Sequence, residues 1–232
     1  MTGGLSLALL VLFSILVAKS RGAPEEEVEA IAESVARRQT IDLPKPSTRG
    51  DVSLEHALAR RRSCRELTKT PLSLDALSQL LWAAQGVTHR AEGYRTAPSA
   101  GALYPLELYV ATGEGFYHYQ PKRHRLVDHL DEDVRPRMYR AALEQDAVRE
   151  AGAVFVIAAV YERTEAKYGK SRSPRYVHLE AGHAAQNLLL QAEVLGLGAV
   201  PIGAFSDTAL QTVLSLPAHH RPLYLIAVGH PR

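Results

Sequence analysis

Arg60, Arg61, Arg62 and Arg65 crowd around Ser63 and Cys64 in six consecutive residues. Like charges held this close are unfavourable unless an anion relieves them. A phosphate monoester does so through charge-assisted hydrogen bonds worth about 1.5–3 kcal/mol each. The same cations would also suit a solvated helix end, where the macrodipole favours positive charge. A second stretch, Ala97-Pro98-Ser99-Ala100-Gly101-Ala102, is small enough for backbone to approach a flat ligand, and equally for a tight turn. A third, Gly196 to Phe205, is glycine-rich, but its glycines do not fit G-x-G-x-x-G and they follow a helical pattern. A dinucleotide loop needs a strand first, so that reading is excluded. Glu165-Ala-Lys-Tyr-Gly169 is a charged stretch expected as a polar loop.

Other chemistries find less support. His178 and His183 flank Glu180, but a spacing of five puts them about 140° apart on a helix, whereas a zinc-binding pair is four apart on one face. No metal site is expected. There is no G-x-S-x-G elbow. Cys64, the single cysteine, excludes an internal disulfide and is expected to be a small packing residue. A formal charge of +2 with dispersed Lys and Arg excludes a nucleic-acid track.

These residues need a scaffold. Leu5 to Ala18 is apolar but for Ser6 and Ser14. As a helix it spans about 21 Å, short of the roughly 30 Å hydrocarbon core. Residues 1–22 are therefore expected to be a signal peptide or weak membrane anchor, with Lys19 and Arg21 after the run. Such a leader implies export or membrane association; without it the protein would be cytoplasmic. Residues 23–52 are expected to hold a short helix over Pro24–Arg38 and a Pro-rich linker over Leu43–Gly50. The catalytic body is expected over 53–232. Ser53 and Ser73 cap helices, Leu106–Ala111 and Gly115–Gln120 form two strands, Val134–Glu144 a helix, and Ala153–Val160 a buried strand. The strongest helix, Tyr176–Leu195, ends at Gly196 and is apolar over a broad face, which suits either a dimer core or the centre of a monomer. A strand over Ala199–Ala204, a helix from Asp207 and a strand over Leu223–Val228 complete an α+β domain.

The ordered motifs R-R-S-x-R at Arg61, P-S-A-G-A-L-Y-P-L-E at Pro98, G-H-A-A-Q-N-L-L-L-Q-A at Gly182, G-L-G-A-V-P-I-G-A-F at Gly196 and V-G-H-P at Val228 together resemble the nitroreductase family. More narrowly they are similar to its thiazoline-oxidase branch, the oxidases of azoline-modified peptides. The resemblance runs from Leu54 to Pro231. It implies a mostly antiparallel sheet packed by helices, a long central helix at a homodimer interface, and FMN in clefts between subunits. It also implies that Arg61, Arg62, Ser63 and Arg65 hold the FMN phosphate, ribityl chain and pyrimidine edge. Pro98, Ser99 and Gly101 would line the ring on one side, and Pro201, Ile202, Gly203 and Ala204 the other, with a backbone N–H near flavin N5. Arg232 matches a late basic residue on the phosphate. Lys167 and Tyr168 match a proton-removing pair in the thiazoline oxidases. The implied activity is two-electron oxidation or reduction of a small organic substrate, with NAD(P)H as an optional donor. A non-catalytic, membrane-associated flavin-binding accessory protein is the alternative.

Overall fold

Ala153–Ala159 is buried at every position. An apolar strand of this kind is covered only when helices lie on both faces of its sheet. The computed structural model describes residues 39–232 and has that arrangement; the apolar leader and the expected helix over Pro24–Arg38 lie outside the described residues. The elements are β1 (Thr40–Asp42), α1 (Leu54–Arg60), β2 (Leu67–Thr68), α2 (Leu74–Gln85), β3 (Val87–His89), β4 (Tyr94–Arg95), β5 (Leu106–Ala111), β6 (Phe116–Gln120) and β7 (Arg125–Leu130). There follow α3 (Arg135–Ala141), α4 (Asp146–Glu150), β8 (Ala153–Ala159), α5 (Tyr161–Tyr168), α6 (Ser173–Val194), β9 (Gly198–Ile202), α7 (Asp207–Val213) and β10 (Arg221–Pro231).

The main sheet runs β1-β7-β6-β5-β8-β10-β2, with β9 also on β10. The pairings from β7 through β10 to β2 and β9 are antiparallel, as expected. Successive side chains of a strand point to opposite faces, and β8 divides its residues accordingly. Phe155 and Ile157 join Leu80, Val177 and Leu188 from α2 and α6. Val154 and Val156 join Met138, Val148 and Leu210 from α3, α4 and α7. The last strand is longer than expected because Leu225–Gly229 pair with β9 while His230 and Pro231 go on to pair with β2.

Local chemistry sets the helix limits. Ser53 and Ser73 accept from His56 and Ala76 N–H, capping α1 and α2. Pro174 is tolerated in the first turn of α6, which therefore starts ahead of Tyr176. Gly196, at φ 69°, lies just beyond its end. The expected helix over Val134–Glu144 stops early, because Leu143 and Glu144 turn left-handed at φ 55° and 57°. Glu165–Tyr168, expected on a polar loop, instead end α5, since no Gly or Pro interrupts that helix before Gly169 at φ 75°. The compact unit runs from Ile41 to Arg232, so the body reaches upstream of Ser53. Leu43–Gly50 is irregular, as expected, and is held to α2 by bonds of Ser47 N–H to Gln79 (2.8 Å) and Gln79 to Ser47 O (3.0 Å).

Candidate active site

The chain turns out of α1 at Arg61 and runs beside β9. Ser63 makes a parallel bridge to Ala199, and Cys64 N–H donates to Ala199 O at 2.9 Å. Cys64 lies against Gly198, where a Cβ would come within 2.8 Å of its Sγ. The arginines of the segment divide by partner. Arg60 pairs with Glu193 at 3.1 Å. Arg62 turns back to the Ala59 and Arg61 carbonyls at 2.9 and 2.8 Å, closing the helix end. Among the described residues Arg61 and Arg65 enter no ion pair, and Ser63 and Arg65 are exposed. The Arg232 N–H donates to Glu66 O at 3.0 Å, and its guanidinium pairs with Glu150 at 3.1 Å, next to this segment.

Strand β9 carries the chain from the bridge at Ala199 into Pro201–Ala204. The Ile202 side chain is buried in the core beside α7, leaving only its backbone for a ligand. Gly203 and Ala204 are exposed, and a Cβ on Gly203 would meet nothing within 4 Å. The Ala204 carbonyl accepts from Gln145 at 2.9 Å.

The loop after β4 is tied down at both ends. Thr96 N–H donates to Gly86 O (2.9 Å), Asn187 of α6 donates to Thr96 O (3.3 Å), and Ser99 Oγ accepts from Tyr104 N–H (2.9 Å). Between them Gly101, Ala102 and Tyr104 take φ of 63°, 55° and 48°. Left-handed Ala and Tyr cost roughly 1 kcal/mol or more each, and such strain is held only where surrounding contacts fix it. Here α5 supplies them. A Cβ on Gly101 would meet Lys167 Nζ at 2.8 Å and the Tyr168 hydroxyl at 3.0 Å. The Lys167 ammonium lies 5.6 Å from the Tyr168 ring centroid, and that ring meets Tyr176 at 4.6 Å. Arg163 fastens α5 to the loop through Tyr104 O at 3.1 Å and through the Glu107 carboxylate.

Beneath this loop lies a polar cluster that the motifs left unnoticed. Arg95 donates to Gln85 at 2.8 Å and stacks over Tyr104 at 4.5 Å. Burial pushes the Glu107 carboxyl up, but hydrogen bonds and charge from His118 and Arg163 outweigh it and hold Glu107 at about 2. Glu180, on the core side of α6, is 2 % exposed, and burial drives its carboxyl up to about 7 against the Ser99 hydroxyl and Arg95. Farther along the sheet, burial lowers His220 to about 4, with Nδ1 2.6 Å from the Tyr109 hydroxyl. The sequence carried one clue to Glu180: it falls at helical spacing among Val177, Ala181 and Ala184, an acid on an apolar face.

The candidate residues thus assemble as two groups: the basic segment with Pro201–Ala204, and Pro98–Gly101 with Lys167 and Tyr168. Among the described residues no hydrogen bond or ion pair joins them. A concavity of about 1040 Å³ between α1, α2 and α6, lined by residues such as Leu54, Trp82 and Leu190, contains none of the expected site residues. The residues present suit a flat, phosphate-bearing cofactor: Arg61 and Arg65, without ion pairs among the described residues, beside a hydroxyl, an open Gly203, and a small-residue loop at Pro98–Gly101 capped by Lys167 and Tyr168.

Comparison with known proteins agrees with the motifs. Residues 58–230 match the Nitroreductase family. A nitroreductase homologue of Methanocaldococcus jannaschii is 45% identical over 196 residues, 82% of this chain and 96% of that protein. The trifolitoxin-processing protein TfxB of Rhizobium leguminosarum is 30% identical over 62% of this chain and 43% of its own length. The crystal structure of a Ralstonia eutropha nitroreductase homologue superposes with a TM-score of 0.77 at 32% identity, covering 83% of this chain and 90% of that one. By motif order, sequence and fold, the chain belongs to the nitroreductase family, with its resemblance reaching the thiazoline-oxidase-like branch.

Proposed function

We propose that this protein is an FMN-dependent oxidoreductase that moves two electrons to or from a small organic substrate. Dehydrogenation, such as azoline oxidation, and reduction of a nitro compound or quinone are the reactions within its range, with NAD(P)H as an optional electron donor. The observation that carries the reading is the Ser63–Ala199 bridge: it ties a phosphate-suited basic segment to the strand that delivers Gly203 and Ala204. Bound FMN supplies hydride chemistry at its N5.

Each residue then has a distinct task. Arg61, Ser63 and Arg65 bind the phosphate and polar edge, where a nearby cation favours negative charge on the ring. The backbone of Gly203 and Ala204 offers an N–H donor to the ring from an exposed turn. Pro98, Ser99 and Gly101 give a flat floor. Lys167 and Tyr168, poised over Gly101, hold or move a proton at the substrate. Arg62, bonded to its own helix end, and Arg232, paired with Glu150, act at the margin of the phosphate site.

The two groups of site residues are brought onto one cofactor by a second copy of the chain. Leu54 and Leu58 on α1 and Leu179 on α6 are 61%, 53% and 55% exposed, an apolar surface that a homodimer would cover. The N-terminal run lies outside the described residues, and among those residues no helix is long and apolar enough to cross a membrane; export or anchoring is proposed on the leader alone.

The test is the absorption spectrum of the purified full chain, with identification of the chromophore released on denaturation. Flavin bands with about one FMN per chain support the reading. A colourless protein that fails to take up added FMN overturns it.

A further inference from the structure

Glu180 of α6 is the feature that the proposed function leaves unexplained. Its side chain is almost wholly buried, and Oε1 has no hydrogen-bond partner; Gln85 Nε2, on the neighbouring α2, also lacks one. A buried carboxylate in this condition is strongly unfavourable, whereas a neutral acid is tolerated. The groups facing it are Gln85 from α2, Arg95 from β4, Ser99 from the loop and Arg163 from α5. Both arginines are shared with Glu107: Arg163 is bound to it, and Arg95 feels Glu107 more strongly than Glu180, so their attraction does not offset the burial of Glu180. On α6 itself His178 and His183 point to the exposed side, and Lys167 and Tyr168 close the loop from above at Gly101.

We infer that Glu180 is a positioning residue which, through Ser99, sets the conformation of the Pro98–Gly101 loop and so the affinity for the cofactor. The inference rests on the FMN reading of that loop. Ser99 is the mechanical link: its hydroxyl faces Glu180 while its Oγ accepts from Tyr104 N–H at 2.9 Å, closing the left-handed turn. Neutral Glu180 leaves that turn intact. Ionised Glu180 has to recruit water, and with its Ser99 neighbour flanked by the exposed Pro98 and Gly101, the strained loop opens to admit it. Burial holds the carboxyl at about 7, which sets this change within the neutral range.

The experiment is FMN titration of the full chain by fluorescence quenching at pH 6 and pH 8. If binding requires neutral Glu180, the wild-type dissociation constant rises about tenfold at pH 8. Glu180→Gln, neutral at both values, changes less than about twofold between them. Ser99→Ala, which leaves the carboxyl in place and breaks the link, binds more weakly and with the same flat profile. A wild type without the slope, or a Glu180→Gln protein that keeps it, overturns the inference while leaving the cofactor reading standing. Failure of the wild type to bind FMN at either pH removes both.

Discussion

The Lys167 ammonium and the Tyr168 hydroxyl converge on one backbone position, 2.8 and 3.0 Å from where a side chain on Gly101 would begin. Adjacent residues on a helix usually diverge by about 100°. Here they close over the same spot because they occupy the last turn of α5, and Lys167 folds over the Tyr168 ring.

Gly101→Ala tests that floor. The new methyl meets two side-chain tips and forces Ala into φ 63°. The expected loss of stability is modest, about 1–2 kcal/mol, because Lys167 can swing away. FMN affinity and turnover should both fall at least about tenfold, since the methyl displaces the Lys167 and Tyr168 tips that pack on the strained loop. Thermal unfolding and flavin titration on the same sample separate the two effects; wild-type affinity and turnover would remove Gly101 from the site.

Lys167→Met and Tyr168→Phe remove the proton-handling atoms while keeping the helix. Each should lower kcat by about 10²-fold or more with FMN still bound, the range typical of general acid–base groups. The check is single-turnover flavin reduction or reoxidation with each variant. Unchanged rates with a substrate that must gain or lose a proton would confine the pair to loop support.

Arg65→Ala removes an exposed arginine of the basic segment that enters no ion pair among the described residues. Loss of a charge-assisted contact to phosphate should weaken FMN by about 1.5–3 kcal/mol, roughly 10- to 100-fold, and affect riboflavin much less. Arg62→Ala should cost less, since Arg62 is bonded to carbonyls of its own helix end. Titration with the two flavins distinguishes these outcomes.

His220 sets an acid limit on stability. Its folded value, about 4, lies below its ordinary 6.5 because it is buried. The unfolded chain therefore binds the extra proton first, and stability falls as pH drops from 6.5 towards 4. Glu180 acts in the opposite sense: raised to about 7, it contributes stability at low pH that is lost as pH rises to 7. Glu107, held at about 2, contributes only to loss below its ordinary 4.5. Denaturant unfolding at pH 7.5 and 5.0 isolates the histidine when wild type is compared with His220→Asn. The variant should lose about 1–2 kcal/mol less on acidification; equal losses would show that His220 does not govern this window.

The sequence by itself named the candidate ingredients of the site and determined much of its scaffold. Arg61, Ser63 and Arg65 and the Pro98–Gly101 run stood out because phosphate charge and backbone approach demand particular residue types locally, and Pro201–Ala204 through the motif order alone. Helices α2 and α6 and strand β8 were legible because periodicity and serine or glycine punctuation act over one or two turns. The tertiary structure decided what no local pattern carries. Helix α5, whose C-terminal part reads as a charged loop, is placed over the Pro98–Gly101 loop by Arg163 reaching Glu107, 56 residues away. The Ser63–Ala199 bridge, the closure of Lys167 and Tyr168 over Gly101, and the burial of Glu180 beneath Ser99 all join distant segments. Sequence fixes which groups a chain possesses; only packing sets the distances and desolvation on which hydrogen bonding and protonation depend.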